Sequence, residues 1–272
     1  MPLGQFGIWR RYQEGLGLVS ELEALGFGAL WVGGSPSLGE ARPCLEATST
    51  MTIATGILNV WRHEPEDVAA GHAQLRGDFG DRFLLGIGVG HPEKTSEYMK
   101  PLTKMSEFLD GLDAADAPVP REERIVAALR PKMLELSAER SLGAHPYFTT
   151  PEHTRFARAH VGPEALVAPE VAVVVDPDPE TGRASAREYA ALYLGLTNYV
   201  SNLLLFGFTE QDIGDGGSDR LIDAVVPHGS AEEIAETVQE HFDAGADHVC
   251  LQPVGHGSEN LDDYRALARA LF

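Results

Sequence analysis

The segment Phe83 to His91, FLLGIGVGH, ends in a histidine and carries glycine at 86, 88 and 90. In an extended chain those glycines share one face, where missing side chains let a flat ligand or another backbone come close. Tight layering inside a closed barrel would use the same glycines. Their spacing is not that of a dinucleotide fingerprint, and no helix opens directly after them. Gly88 and Gly90 are therefore candidate cofactor contacts. His91 is the first candidate for an acid or base, since an unperturbed imidazole titrates near neutral pH. A structural histidine at a loop start is the plainer alternative. His63 follows Trp61 and Arg62 at the end of another apolar run, where Arg62 or His63 could orient cofactor or substrate. His145 and His256 are further candidates.

Thr149-Thr150-Pro151 suits a different chemistry. A helix beginning at Pro151 would offer free N–H groups and partial positive charge, and two adjacent hydroxyls would add donors for a phosphate. Arg155 and Arg158 follow on the same helix. The competing reading makes Thr150 a helix cap and nothing more. Lys94, Lys100 and Lys104 form a local cationic stretch that could serve an anionic ligand, or simply a solvated helix face. The ten histidines show no HExxH and the two cysteines no ligand spacing, so no metal is expected. Neither a G-x-S-x-G elbow nor a P-loop occurs, which removes support from hydrolase and NTP-dependent readings.

These residues need a frame. At 272 residues with 43% hydrophobic content the chain can bury a full core as one domain, residues 1–272. Asp+Glu 41 against Lys+Arg 21 gives a net charge of −20, which argues against nucleic acid or an anionic membrane as partner. Cys44 and Cys250 read as free thiols of a reducing compartment, and with no signal peptide or spanning run the expected location is the cytoplasm.

Met51 to His91 reads as one strand–helix–strand unit: a β-branched run from Thr52 to Trp61, a helix opening near Pro65, and the Phe83–Val89 run. A single-helix crossover makes the two strands parallel. Further strands are expected at 4–9, 29–32, 143–148, 171–176, 225–227 and 249–251. Helical stripes are expected at 16–25, at 125–136 with Pro131 as a kink, at 184–206 and after a Ser230/Glu233 capping box. Eight short strands alternating with helices indicate an α/β chain closed as a (β/α)8 TIM barrel; an open doubly wound sheet lacks its glycine fingerprint. The 91–121 connection is long enough to be a lid. In such a barrel the site lies just after each strand, which selects Trp9, 33–35, 59–63, 90–91, 145–150, Asp176, His228 and 252–256.

TGILN-VWRHEP, a helix, then DRFLLGIGVGH resembles the bacterial-luciferase-like superfamily of flavin- and deazaflavin-dependent oxidoreductases. PKMLELSAERSLGAHPYFTTPEHT, YLGLTNYVSNLLLFGF, GGSDRLIDAVV and AGADHVCLQ resemble its coenzyme F420-dependent branch. The resemblance implies a luciferase-like barrel in which strand three bulges, often with a non-prolyl cis peptide, behind the cofactor ring. That falls on Leu58, Asn59 and Val60. It also implies that the loop after strand five holds the cofactor phosphate, on Thr149 and Thr150, that hydride passes between F420 and a small-molecule substrate, and that the protein is a homodimer. FMN with oxygen and a separate reductase is the rival within the superfamily; a barrel that binds a flavin or deazaflavin without turnover is a second.

The chain also departs from that pattern. Where luciferase and the sugar-phosphate dehydrogenases of the superfamily carry a histidine after strand two, it has Gly33-Gly34-Ser35. It has Val89 at luciferase's strand-four arginine, and His91 where the dehydrogenases place a glutamate. A long insertion after strand seven is expected to be missing.

Overall fold

The expected crossover unit is present in the computed structural model, which describes residues 3–94, 100–255 and 260–272. Its strands and helices run, in order, β1 (Phe6–Arg11), α1 (Tyr12–Leu16), α2 (Val19–Ala24), β2 (Ala29–Gly33), α3 (Leu38–Glu46), β3 (Thr52–Thr55), β4 (Leu58–Asn59), α4 (Pro65–Phe79), β5 (Phe83–Gly88) and α5 (Pro101–Ala114). The second half continues as β6 (Arg124–Val126), α6 (Pro131–Arg140), β7 (Gly143–Ala144), α7 (Pro151–Val161), β8 (Leu166–Val167), β9 (Glu170–Val175), α8 (Pro179–Leu194), α9 (Thr197–Leu205), α10 (Glu210–Ile213), α11 (Asp219–Val225), β10 (His228–Gly229), α12 (Ala231–Asp243), β11 (Val249–Pro253) and α13 (Leu261–Leu271). None of the described helices is long and apolar enough to cross a membrane.

All strand pairs among the described residues are parallel. β3 and β4 are two lengths of one stave, as are β8 and β9. The second case closes the barrel. Ala168 N and Glu170 N donate to Ala144 O and Pro146 O at 2.9 and 2.8 Å on one side, while Cys250 N donates to Pro169 O at 2.9 Å on the other. β11 pairs in turn with β1, so hydrogen bonding returns to its start after eight staves. β10 is no stave: it takes over the edge of β9 that Pro146 leaves, with Val174 N on Pro227 O and Asp176 N on Gly229 O.

Side chains alternate across the wall. Trp9, Ala29, Trp31, Ala54, Leu84, Ile125, Ala168 and Cys250 pack together inside the ring. Ile8, Leu30, Ile53, Leu85, Val126 and Leu251 face outward under the helices. Full burial of one such aliphatic side chain stabilises by about 1.5–3 kcal/mol.

Several expectations need correction. Ile125 belongs to a strand, not to a helix, and a three-residue strand is too short to display a period of two. Pro131 is the first residue of α6, where its fixed φ and missing N–H cost nothing, rather than a kink. The GAHPYF strand is therefore the sixth stave and VAVVVD the seventh. Val225 ends a helix, and no stave lies at 225–227. The 184–206 helix divides at Gly195-Leu196. With the count corrected, residues 176–248 connect stave seven to the last stave through α8 to α11, β10 and α12, a longer connection than the strand count from sequence allowed. Of the 91–121 connection, α5 packs between α4 and α6 in the outer layer.

Candidate active site at the barrel mouth

The first wall of the mouth is built by staves one to four. Trp9 on β1 is 7% exposed and donates its indole N–H to Gly56 O at 2.8 Å. At the end of β2, a Cβ on Gly33 would lie 1.9 Å from Trp9 Cζ2. The indole thus fills the place that a side chain after strand two would take. Stave three breaks between β3 and β4, and the Gly56–Ile57 peptide there is cis. The break lies two residues earlier than the Leu58–Val60 segment.

The glycines of β5 admit that break. A Cβ on Gly86 would come 1.9 Å from Thr55 O, one on Gly88 2.7 Å from Ile57 Cγ1, and one on Gly90 2.8 Å from Asn59 Nδ2. Thr55 Oγ1 donates to Gly86 O at 2.7 Å and accepts from Gly86 N at 2.9 Å. What approaches these glycines closely is the chain's own third stave. Leu58 and Val60 are fully buried with their side chains in the outer, helix-facing core, so only their backbones can border the mouth. Asn59 uses Oδ1 to accept from Trp61 N at 3.0 Å.

The opposite wall comes from α8 and α9. Tyr147 Oη lies 2.9 Å from Tyr189 Oη and 2.8 Å from Tyr193 Oη, and it donates to Gln252 Oε1 at 2.7 Å. Tyr189 donates to the same amide oxygen at 3.2 Å. Phe148 stacks on Tyr193 with centroids 4.9 Å apart. The start of α9 docks on the exit of stave four: Thr197 N and Oγ1 donate to Glu93 Oε1 at 3.0 and 2.7 Å, and His91 Nδ1 lies 3.0 Å from Asn198 Oδ1. An amide oxygen only accepts, so Nδ1 of His91 carries the hydrogen of this contact. The His91 ring sits 5.1 Å from that of Tyr199. His63 is half-buried near the stave-three exit, its pKa lowered by burial and then by Arg62.

Thr149 and Thr150 lie at the start of α7, 3% and 4% exposed. Among the described residues Thr149 Oγ1 has no hydrogen-bond partner, and Thr150, though at the cap position, makes no side-chain cap bond. Arg155 is exposed on the same helix. Arg158 is committed elsewhere, to the carbonyls of Gly245, Gly162 and Ala165 and to the Asp247 carboxylate. Lys104 Nζ stands 5.6 Å over the Trp61 ring and Lys100 is exposed. The side chain of Lys94, and His256, lie outside the described residues. His145 belongs to the barrel interior: it donates from Nδ1 to Ala168 O at 2.7 Å, stacks on Trp31 at 4.1 Å, and is brought by burial to a pKa of about 4.

Sequence reasoning missed Glu170. It is fully buried on β9, with Oε2 accepting from Phe148 N at 3.3 Å and Oε1 unpartnered among the described residues. Burial pushes its carboxyl up to about 8, so the acid is protonated at neutral pH. The only signal was a charged residue opening the apolar run EVAVVV. Tyr189 and Tyr193 were legible only as an i, i+4 pair on a helix.

The mouth therefore joins a bulged stave, an aromatic wall, an imidazole and a neutral acid beside a helix N-terminus. Residues 4–115 match the family model of luciferase-like monooxygenases. A search of curated proteins finds no match. Among solved structures, an F420-dependent secondary alcohol dehydrogenase in complex with an F420-acetone adduct aligns with a TM-score of 0.75 at 16% identity, over 98% of this chain and 99% of that one. The coenzyme F420-dependent tetrahydromethanopterin reductase from Methanopyrus kandleri aligns with a TM-score of 0.74 at 18% identity, over 98% of both. The oxygenating constituent of 3,6-diketocamphane monooxygenase from Pseudomonas putida, in complex with FMN, aligns with a TM-score of 0.70 at 14% identity, over 97% of this chain and 95% of that one. The family match thus covers the first four staves, and the fold of these solved structures covers almost the whole chain.

Proposed function

We propose that the protein is an oxidoreductase that moves a hydride between coenzyme F420 and a small organic substrate at the barrel mouth. The observation that carries this reading is Thr149 Oγ1, a buried hydroxyl without a partner at the N-terminus of α7. A buried polar atom left unpaired costs free energy, and a phosphate oxygen there would be met by the hydroxyls and the free N–H groups of the first turn. The residues present therefore fit the phosphate end of the cofactor. Two of the neighbouring folds bear F420-dependent names, which favours the deazaflavin over FMN.

When bound, a deazaflavin supplies a ring carbon that accepts or gives a hydride. The protein's part is positional and electrostatic. Trp9 and the Gly56 carbonyl fix the wall at stave three, and the Tyr147–Tyr189–Tyr193–Gln252 network shields the mouth from water. His91 takes or returns at Nε2 the proton that accompanies hydride movement at an oxygen of the substrate. His63 lines the rim near Trp61. Exposed Arg155 and the 94–104 lysines oppose the repulsion that a net charge of −20 exerts on an anionic cofactor. The same reading places the protein in the cytoplasm as a homodimer.

The test is a side-by-side titration of the apoprotein with F420 and with FMN, followed by tryptophan fluorescence. Selective binding of F420 is expected. Preference for FMN would move the protein to the monooxygenase side, and binding of neither would overturn the reading in favour of a barrel that has lost its cofactor.

A further inference from the structure

We propose that Glu170 is a positioning residue for the anion end of the cofactor site, holding the turn Phe148–Thr149–Thr150 in shape through the hydrogen bond that Phe148 N donates to its carboxyl. The inference rests on the placement of the cofactor phosphate at Thr149 and Thr150.

Two unfavourable features meet at this turn. Phe148 has φ of +54°, in the left-handed region that a bulky residue rarely adopts. Glu170 is a fully buried acid with one oxygen unpartnered. Strained backbone and buried polar groups persist where the surroundings enforce them, and they cluster at ligand sites. The surroundings here are specific. Glu170 N donates to Pro146 O at 2.8 Å, which fixes the stave from which its side chain reaches Phe148. On its other side the Phe148 ring stacks on Tyr193 and lies 5.6 Å from Tyr199.

Phe148 is thus clamped between stave seven and the α8–α9 wall, and the next residue along the chain carries the orphan hydroxyl. An acceptor that is neutral at working pH suits this post. It holds the amide without placing a second negative charge beside an incoming phosphate.

The experiment compares wild type, Glu170→Met, Glu170→Gln and Glu170→Asp, each checked for folding by circular dichroism. They are titrated with F420 and with the same deazaflavin chromophore lacking the phosphate-bearing tail. Wild type is expected to prefer F420. Glu170→Met, which keeps volume and loses the acceptor, is expected to weaken F420 by about tenfold and leave the phosphate-free chromophore within about twofold. Glu170→Gln keeps an oxygen for Phe148 N and is expected to retain the wild-type preference. Should Glu170→Met not fold, Glu170→Asp, one methylene short of Phe148, is expected to show the same selective loss. Unchanged F420 affinity in the variants, or equal loss for both ligands, would overturn the positioning role alone. A wild type that binds neither ligand, or both equally, would overturn the phosphate placement itself and the inference with it.

Discussion

Trp9 and Gly33 are two halves of one surface: the indole lies flat where a side chain at 33 would stand, with Cζ2 only 1.9 Å from the position of the missing Cβ. Gly33→Ala therefore forces the indole to move, whereas a Cβ at Gly86 would strike the carbonyl oxygen of Thr55, which is backbone. A side chain yields more cheaply than a strand. Gly33→Ala is expected to cost about 1–3 kcal/mol and to shift tryptophan emission, and Gly86→Ala to cost more, by urea denaturation midpoints.

Thr149 separates stability from binding. Removing an unpaired buried hydroxyl at constant shape is neutral or mildly stabilising, so Thr149→Val is expected to leave Tm unchanged or raise it by the equivalent of up to about 1 kcal/mol. Its affinity for F420 is expected to fall. A variant with lowered Tm would mean that the hydroxyl has a structural partner.

His91 is expected to act in turnover rather than in holding the cofactor. His91→Ala should lower kcat by about a hundredfold or more while F420 affinity stays within a few-fold. Asn198→Ala, which frees the imidazole from its orienting acceptor, should lower kcat less and shift the pH profile. Wild-type turnover in His91→Ala would end the proton-handling role.

Stability should fall in acid well above the carboxylate range. His72, His145, His153, His241 and His248 are held by burial at about 4, against 6.5 ordinarily. The unfolded chain takes up their protons first, so stability is full above pH 6.5 and is lost as pH falls from there to about 4. Each contributes a slope of up to ~1.4 kcal/mol per pH unit. Glu170 acts in the opposite sense: folding retains a proton that the unfolded chain releases near 4.5, so its contribution erodes as pH rises from there to about 8. Glu170→Gln should flatten that alkaline limb in thermal unfolding series.

Glu23 pins the entry to stave three. Burial raises its carboxyl, but the N–H groups of Thr50, Met51 and Ser49 outweigh this and bring it to about 2. The Thr50 and Met51 amides lie 2.6 and 2.8 Å from Oε1. Glu23→Ala is expected to destabilise by about 1–3 kcal/mol at pH 7. Because the folded pKa is depressed, that difference should be present above about 4.5 and vanish as pH falls toward 2.

The parts legible in the sequence were those with a repeating physical signal. The staves at 29–33, 52–55 and 83–88 show β-branched or continuous apolar runs, and Pro65 and Ser230–Glu233 mark helix starts chemically. Arg124–Val126 was hidden because Ile125 falls in step with Leu129 and Met133, four residues apart each. The orientation of Leu58 and Val60 depends on which side the chain leaves the Gly56–Ile57 peptide, and no residue type encodes that. Thr149 and His91 could be chosen from position alone. Glu170 could not, since its partner Phe148 comes from another stave, and neither could the tyrosines of α8, whose meeting with Tyr147 depends on residues 176–248 folding back across the mouth.

The 176–248 segment also divides the mouth by which stretch of chain supplies its parts. The segment matching the family model, residues 4–115, supplies the bulged stave, the β5 glycines and His91. Much of the wall facing them, including Tyr189, Tyr193 and Tyr199, is drawn from 176–248, which reaches that first half at Glu93 and His91 through two neighbouring residues, Thr197 and Asn198. A change in the length or course of 176–248 would reshape the face opposite the β5 glycines while leaving in place the Thr55–Gly86 hydrogen bonds that hold those glycines against stave three.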